Sequence, residues 1–255
     1  DENLLTPLLH SLPESVEKVN VTMGYPIKNT LAYSLIEILV TLQTHCRAKD
    51  GATTFYHKDV AQLLSHPYIT DICGDVAREK IKEIATKRVI MVEDRLLYEA
   101  IKDKNYGTTA EIERAKSILS KLFVDAKAIE LAQTDGEQEC GWKKLAHYIV
   151  DVLNTISALQ DFNEFDSDNY NNEHRLLVAN EITKLVNLIE ACKIPLSTEI
   201  FVSLLRRHLQ TISIPYEGKP LDGLQILGIL ETRNLDFKNV IILSMTDANF
   251  PGNHT

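Results

Sequence analysis

The chain opens on apolar residues at helical spacing, NLLTPLLHSL over residues 3–12, and passes into a short β-branched run, VNVTM at 19–23, closed by Gly24, Tyr25 and Pro26. The pattern predicts helix, strand, turn. From Thr30 the period changes: Leu31, Leu35, Ile36, Leu39 and Leu42 recur every three or four residues, with Asn29 or Thr30 available as N-cap. This predicts an amphipathic helix running to about Ala48. Further helices are predicted over 56–64, ending before Pro67, and over 75–85, with Asp75 as its cap. Another opens at Thr109, with Glu111 and Glu113 in a first turn where negative charge suits the helix dipole, and breaks near Phe123. Residues 142–162 carry the clearest stripe: Leu145, Ile149, Val152, Ile156 and Leu159. Helices over 173–192 and 197–209 complete the series, and strand signals between Thr30 and Leu209 reduce to a brief one at 89–92.

The carboxyl end reads differently. Two apolar runs, QILGIL and NVIILSM, flank the polar elbow ETRNLDF. Each run is too short for a helix and lacks polar alternation, the pattern of a strand buried on both faces of a parallel sheet. Two β-flavoured ends therefore bracket a helical middle of domain size. The expected fold is mainly α with a small α/β part. Residues 1–29 and 213–255 together form one parallel-sheet unit, interrupted by an all-helical insertion over 30–212. Segments 19–22, 225–229 and 240–244 are expected to share one parallel sheet.

Composition narrows the classes. At 255 residues with 44% hydrophobic content, the chain can build a substantial core. The longest apolar run, around Leu35 to Leu42, is interrupted by Glu37 and Thr41, and no basic, apolar, small-residue signal opens the chain. A membrane span is not expected. The chain starts at Asp1 and stops at Thr255 directly after an apolar strand, which reads as a fragment of something longer. Cys46, Cys73, Cys140 and Cys192 lie far apart, with no C-x-x-C pair and no His at zinc-finger spacing, so reduced thiols in a cytoplasmic protein are expected, and no metal. The net charge of −9 excludes coating of nucleic acid by bulk electrostatics, so any DNA contact is local.

Motifs for chemistry are absent. There is no G-x-x-x-x-G-K-[ST], G-x-G-x-x-G, G-x-S-x-G or H-E-x-x-H. The acidic loop at 161–173 contains a D-x-D at Asp166 and Asp168 but supplies neither the Gly nor the Glu that a calcium loop needs. His57 and His66 have no Asp, Ser or Cys at a diagnostic spacing. The run REKIKEIATKR from Arg78 interleaves cations with Glu79 and Glu83, which predicts surface ion pairs along a helix. Trp142 opens an amphipathic helix and is expected in the core. No catalytic residue is assigned.

The elbow carries the one resemblance. GILETRNLDF, from Gly228 to Phe237, then the run VIILSM and Asp247-Ala248-Asn249-Phe250-Pro251, resembles the fifth motif of UvrD/Rep-type superfamily-one helicases. That pattern is T-x-H-x-[AS]-K-G-L-E-[FW], a strand, and a short acidic turn ending in Pro. Leu235, Asp236 and Phe237 match L-E-[FW], and Arg233 falls on the Lys. Gly228, Leu230 and Asn234 stand where the motif has Thr, His and Gly. The amino-terminal segment up to Leu39 is similar to the part of the second RecA-like (2A) domain that leads into the helical 2B insertion. Within that family the chain looks most like AddB-like (RexB-like) helicase/nuclease subunits with a PD-(D/E)XK nuclease domain.

The resemblance implies a fragment of a helicase/nuclease subunit in double-strand-break repair and recombination, with a partial RecA-like sheet split by a 2B-like insertion. It implies Thr232 and Arg233 as DNA contacts and Asp236 as an acceptor for a nucleotide ribose hydroxyl. ATP and Mg²⁺ belong to the full-length parent, whose phosphate loop lies outside these residues, and no cofactor is expected in the fragment. The implied partners are single-stranded DNA, held weakly, and a partner helicase/nuclease subunit. Two alternatives stand beside this reading. The elbow charges Glu231, Arg233 and Asp236 can pair with one another across the turn, and the whole can be a non-catalytic helical interaction scaffold on a degenerate RecA-like base.

Overall fold

A computed structural model of the chain describes residues 4–13, 15–16, 18–22, 24–49, 52–98, 109–125, 140–159, 168–214, 223–228, 232 and 235–246. The chain divides into two compact units, Asp1–Pro26 with Ser213–Thr255, and Ile27–Ile212.

The two-segment unit is held by pairing between its segments. Helix α1 (Leu5–Ser11) precedes strand β1 (Val19–Val21), and β1 pairs parallel with β7 (Leu224–Ile226) in the register Val19 with Leu224 and Val21 with Ile226. A second pair, β2 (Tyr25–Pro26) with β6 (Ser213–Ile214), is antiparallel. Two glycines make these approaches possible. Gly223 has φ +75°, and a Cβ there would sit 2.2 Å from Lys18 O; a Cβ on Gly24 would sit 2.6 Å from Ser213 Cβ. Only a residue without a Cβ fits either place.

The third expected strand does not join. Residues 240–244 lie in no strand among the described residues, and Val240, Ile241, Ile242 and Leu243 are exposed, Ile241 at 87%. The expectation of one three-stranded sheet is therefore corrected to a two-stranded parallel pair. A composition rich in Ile and Val marks a segment that suits a strand, but a strand exists only where a neighbour completes its hydrogen-bond ladder.

The second unit is a helical bundle around α2 (Leu31–His45). Thr30 Oγ1 accepts from Tyr33 N at 3.2 Å, making it the N-cap. Leu35, Leu39 and Leu42 are fully buried, worth roughly 1.5–3 kcal/mol each. The helix ends at His45, three residues before the expected Ala48. The long helices α8 (Gly141–Leu159) and α9 (Asp168–Cys192) pack on one another and on α2, with α10 (Thr198–Gln210) beside them. The predicted stripe at Leu145, Ile149, Val152 and Ile156 is buried, as is Trp142, whose ring lies 5.3 Å from that of Phe201.

This unit is not all-helical, which corrects the sequence expectation. Strands β3 (Arg47–Lys49), β4 (Ala52–Tyr56) and β5 (Met91–Glu93) form an antiparallel sheet. Phe55 from its centre is fully buried and meets Phe123 edge-on at 5.5 Å between centroids. Helix α3 (His57–Leu64) follows β4 directly. Pro67 then opens α4 (Pro67–Cys73), a helix the sequence reading lacked; at the first turn, proline gives up only an N–H that has no helical partner. Helix α5 (Asp75–Lys87) is preceded by Gly74 at φ +50°, and Asp75 pairs with Arg78 at 2.9 Å instead of capping. Lys82 with Glu79 and Lys87 with Glu83 are the expected surface pairs, whereas Lys80 departs from that expectation: it is buried and donates to both Glu83 and the distant Leu96 O. Two further helices, α6 (Asp94–Tyr98) and α7 (Thr109–Leu122), also belong to the unit. The D-x-D loop residue Asp166 lies outside the described residues.

Candidate functional site

The described residues of the elbow, Thr232 and Leu235 to Phe237, are exposed. Leu235 N donates to Thr232 O at 3.3 Å, the spacing of a four-residue turn. Thr232 and Asp236 are both exposed. The Asp236 carboxylate has no ion-pair or hydrogen-bond partner among the described residues. Arg233, the expected DNA contact, lies outside the described residues. The turn also exposes Leu235 at 40% and Phe237 at 36%. A solvated connector has no use for two large apolar side chains, and they mark a surface suited to packing against something.

The bundle holds histidine pairs that the sequence reading missed; beside His208 Nε2 with Glu181 Oε2 at 3.2 Å, two involve α2. In the first, His45 Nδ1 lies 2.6 Å from Asp59 Oδ2, with the Asp59 side chain mostly buried and the His45 side chain about half exposed. His45 lines a groove of about 330 Å³ that also meets Val40, Thr44, Glu199, Val202 and Arg206. Engagement of Nδ1 leaves Nε2 as the outward nitrogen, the arrangement that orients a general base. No hydroxyl or thiol bonds to that nitrogen among the described residues: Thr41 and Thr44 bond Glu37 O and Val40 O of their own helix, and Cys46 points to Gln43 Oε1. Across the groove, Arg206 is committed to Glu37 through three bonds of 2.7–3.0 Å, and this contact raises its already high pKa. Among the described residues, the groove has a positioned imidazole with no hydroxyl seen bonded to it.

In the second pair, His66 Nε2 lies 2.9 Å from Ser34 Oγ. Ser34 Oγ also lies 2.9 Å from Leu31 O, to which it donates its single hydrogen. The serine oxygen therefore accepts from His66 Nε2–H, which leaves Nδ1 bare. That nitrogen is buried with no hydrogen-bond partner among the described residues. Burial pushes the His66 pKa down to about 4. Tyr68 packs edge-on to the imidazole at 5.3 Å, and the Arg175 guanidinium lies 4.5 Å over the Tyr68 ring. Arg175, fully buried, also donates to Ser157 Oγ at 3.2 Å. With its hydrogen committed to a carbonyl and its oxygen already accepting, Ser34 is a structural hydroxyl and not a nucleophile. Buried Cys73 is likewise inert, its thiol pushed up to about 12 by desolvation.

These pairs were hidden because their members are 14 and 32 residues apart, Asp59 on α3 and His66 at the N-cap of α4, both against α2. The signal available in the sequence was only that polar residues fell on otherwise apolar faces. Among the described residues no group of three or more His, Cys, Asp or Glu could hold a metal ion, and no helix is long and apolar enough to cross a membrane.

Comparisons with protein-family models, with curated proteins and with solved structures found no match.

Proposed function

We propose that this chain is part of a helicase/nuclease subunit of the AddB-like kind, acting in double-strand-break repair. In this reading the two-segment unit belongs to a RecA-like 2A domain and the helical unit is its 2B-like insertion. The chain contributes DNA-channel and domain-docking surface, while phosphate loop, nuclease carboxylates, ATP and Mg²⁺ belong to other parts of the parent. The observation that carries the reading is the parallel pairing of β1 with β7, which joins segments about 200 residues apart while the residues between them fold as a separate unit. Together with the motif-like elbow directly after β7, this is the chain order that the resemblance implies.

The elbow's role follows from its chemistry. It sits past the carboxyl end of β7, where ligands bind in parallel α/β sheets. The exposed Thr232 meets a DNA phosphate, Arg233 adds a charge-assisted contact, and the exposed Asp236 carboxylate accepts from a ribose hydroxyl. An acidic chain with so few phosphate contacts holds single-stranded DNA weakly. The test is Arg233→Ala in the full-length parent, measured as single-strand affinity against salt. Loss of one phosphate contact lowers the log–log slope by about 0.7. An unchanged slope with a lowered thermal midpoint would assign the elbow charges to architecture.

A second reading, the non-catalytic interaction scaffold, is favoured by the apolar residues Leu188, Ile194 and Ile200, each more than half exposed around the α9–α10 connection. Leu188→Glu and Ile200→Glu separate the two readings. On the scaffold reading they abolish association with a partner subunit and leave DNA affinity unchanged.

A further inference from the structure

The groove beside His45 accepts hydrogen bonds and has little to donate. Its walls come from α2, α8 and α10, and its volume of about 330 Å³ lies in the range of small-ligand sites. Thr41 Oγ1 donates its single hydrogen to Glu37 O at 2.8 Å, and Thr44 Oγ1 gives its own to Val40 O at 2.8 Å, so both oxygens can otherwise only accept. His45 Nδ1 is engaged with Asp59, which makes Nε2 of the neutral imidazole a further acceptor. On the α10 wall the Glu199 carboxylate is exposed and has no hydrogen-bond or ion-pair partner among the described residues. Thr198 beside it keeps a hydroxyl that can serve either way.

Charge points the same way. Arg206 is the one Lys or Arg of the lining, and Glu37 holds it through three bonds, so its charge is answered inside the protein. Behind the imidazole stands a third carboxylate, Asp59. With Arg206 set against Glu37, Glu199 and Asp59, the groove is negative whether His45 is neutral or protonated. Glu199 lies in the first turn of α10, where the helix dipole favours a carboxylate, and that accounts for its place. It does not account for the imidazole. Asp59 is buried, and its one bond among the described residues is to His45. Taking a carboxylate out of water to hold an imidazole that stays half exposed is costly, so the arrangement fixes His45 for a contact of its own. Between these acceptors Val40, Leu145 and Val202 make apolar walls.

We propose that this groove receives a guanidinium group on an aliphatic stem, the arginine side chain of a partner peptide. A guanidinium brings five N–H donors and no acceptor, the complement of this lining. Glu199 takes its planar fork through paired N–H bonds, His45 Nε2 and the threonine oxygens accept remaining hydrogens, and Val40, Leu145 and Val202 cover the stem. A lysine ammonium offers fewer donors around a point charge and leaves acceptors unfilled. Arginine within a peptide fits better than the free amino acid. The free molecule adds an α-carboxylate that Glu199 repels, and Arg206 is already held by Glu37. The site lies wholly in the helical unit and stands whether or not the elbow touches DNA.

The experiment is an NMR titration of the isotope-labelled full chain with acetyl-arginine N-methylamide, followed at the His45 ring and at the Leu145 and Val202 methyl groups. The same blocked forms of citrulline, which keeps the shape without the charge, and of glutamate are titrated beside it. Blocked arginine is expected to shift all three sites together, with a dissociation constant on the order of millimolar for a single side chain. Blocked citrulline should bind about tenfold more weakly, since it loses the charge-assisted bonds, and blocked glutamate should leave the three sites unmoved. Glu199→Gln removes no partner from the fold, so its thermal midpoint should match wild type while its affinity for blocked arginine falls about tenfold. No shift at ~50 mM blocked arginine, far above a millimolar dissociation constant, overturns the site. Equal affinity for blocked citrulline overturns the choice of a guanidinium, and unchanged affinity in Glu199→Gln overturns the role given to that carboxylate. Tighter binding of free arginine than of the blocked form overturns the peptide as its source.

Discussion

Asn20 Nδ2 donates to Gln225 Oε1 at 2.7 Å, a side-chain bond between β1 and β7 across 205 residues of chain. Asn20 is buried, so its amide group depends on this partner. Buried polar groups that are paired contribute about 1 kcal/mol net, and the penalty for leaving one unpaired is larger. A double-mutant cycle over Asn20→Ala and Gln225→Ala is expected to give a coupling of about 1 kcal/mol in urea unfolding. Additive effects would mean that the bond does not help to join the two segments.

The glycine contacts make a sharper test of the same junction. Gly223→Ala would drive a Cβ to 2.2 Å from Lys18 O in a backbone already at φ +75°, so β7 must move away from β1. A cost above 2 kcal/mol, on the order of the largest backbone-strain effects, is expected. Gly74→Ala is the control: nothing lies within 4 Å of the added Cβ, so only the backbone strain of φ +50°, ψ −125° remains, about 1–3 kcal/mol, with no displaced strand. Hydrogen exchange should show β1 and β7 losing protection in Gly223→Ala while α2 and α8 retain theirs. Loss of protection in the bundle instead would show that the two-segment unit is not a separate folding unit.

The His66 site predicts acid sensitivity. Its folded pKa of about 4 lies below the ordinary 6.5, because burial opposes the charged form. The unfolded chain therefore takes up the proton first. Stability is full above pH 6.5 and falls as pH drops towards 4, by about 3 kcal/mol in total. Protonated Nδ1 would also place a second cation near the Arg175 and Tyr68 pair. His174, lowered by burial as well, acts in the same direction. His66→Gln keeps a donor for Ser34 without titrating, and should flatten the fall of thermal midpoint between pH 6.5 and 5. An equal fall in wild type and variant would place the sensitivity elsewhere.

Nucleotide binding follows from what the elbow can supply. Asp236 offers one ribose hydrogen bond, on the order of 1 kcal/mol, with no lysine loop to hold phosphate charge. Calorimetry on this chain is expected to detect no binding at millimolar ATP. Micromolar affinity would reveal a phosphate site that neither the motifs nor the described geometry contains.

Most of the helices, though not α4 or α6, were written in the sequence because each carries its own instructions. The stripe from Leu145 to Ile156, the cap at Thr30 and the ion pairs of α5 are local patterns that a helix satisfies with neighbours three and four residues away. The pairing of 19–21 with 224–226 was also legible, since two apolar runs too small to fold alone had to meet. What the sequence left open depended on partners distant in the chain. Of the β3–β4–β5 sheet only the brief signal at 89–92, overlapping β5, was legible; β3 and β4 were missed, RAK having no alternation of its own and becoming a strand by pairing with β4. Residues 240–244 were read as a strand with nothing beside them to make one. The histidine pairs His45–Asp59 and Ser34–His66 exist only because α2 packs against the helices that follow it. Local periodicity determined the elements; hydrogen-bond ladders and buried polar pairs, which need two segments at once, were decided only when those elements came together.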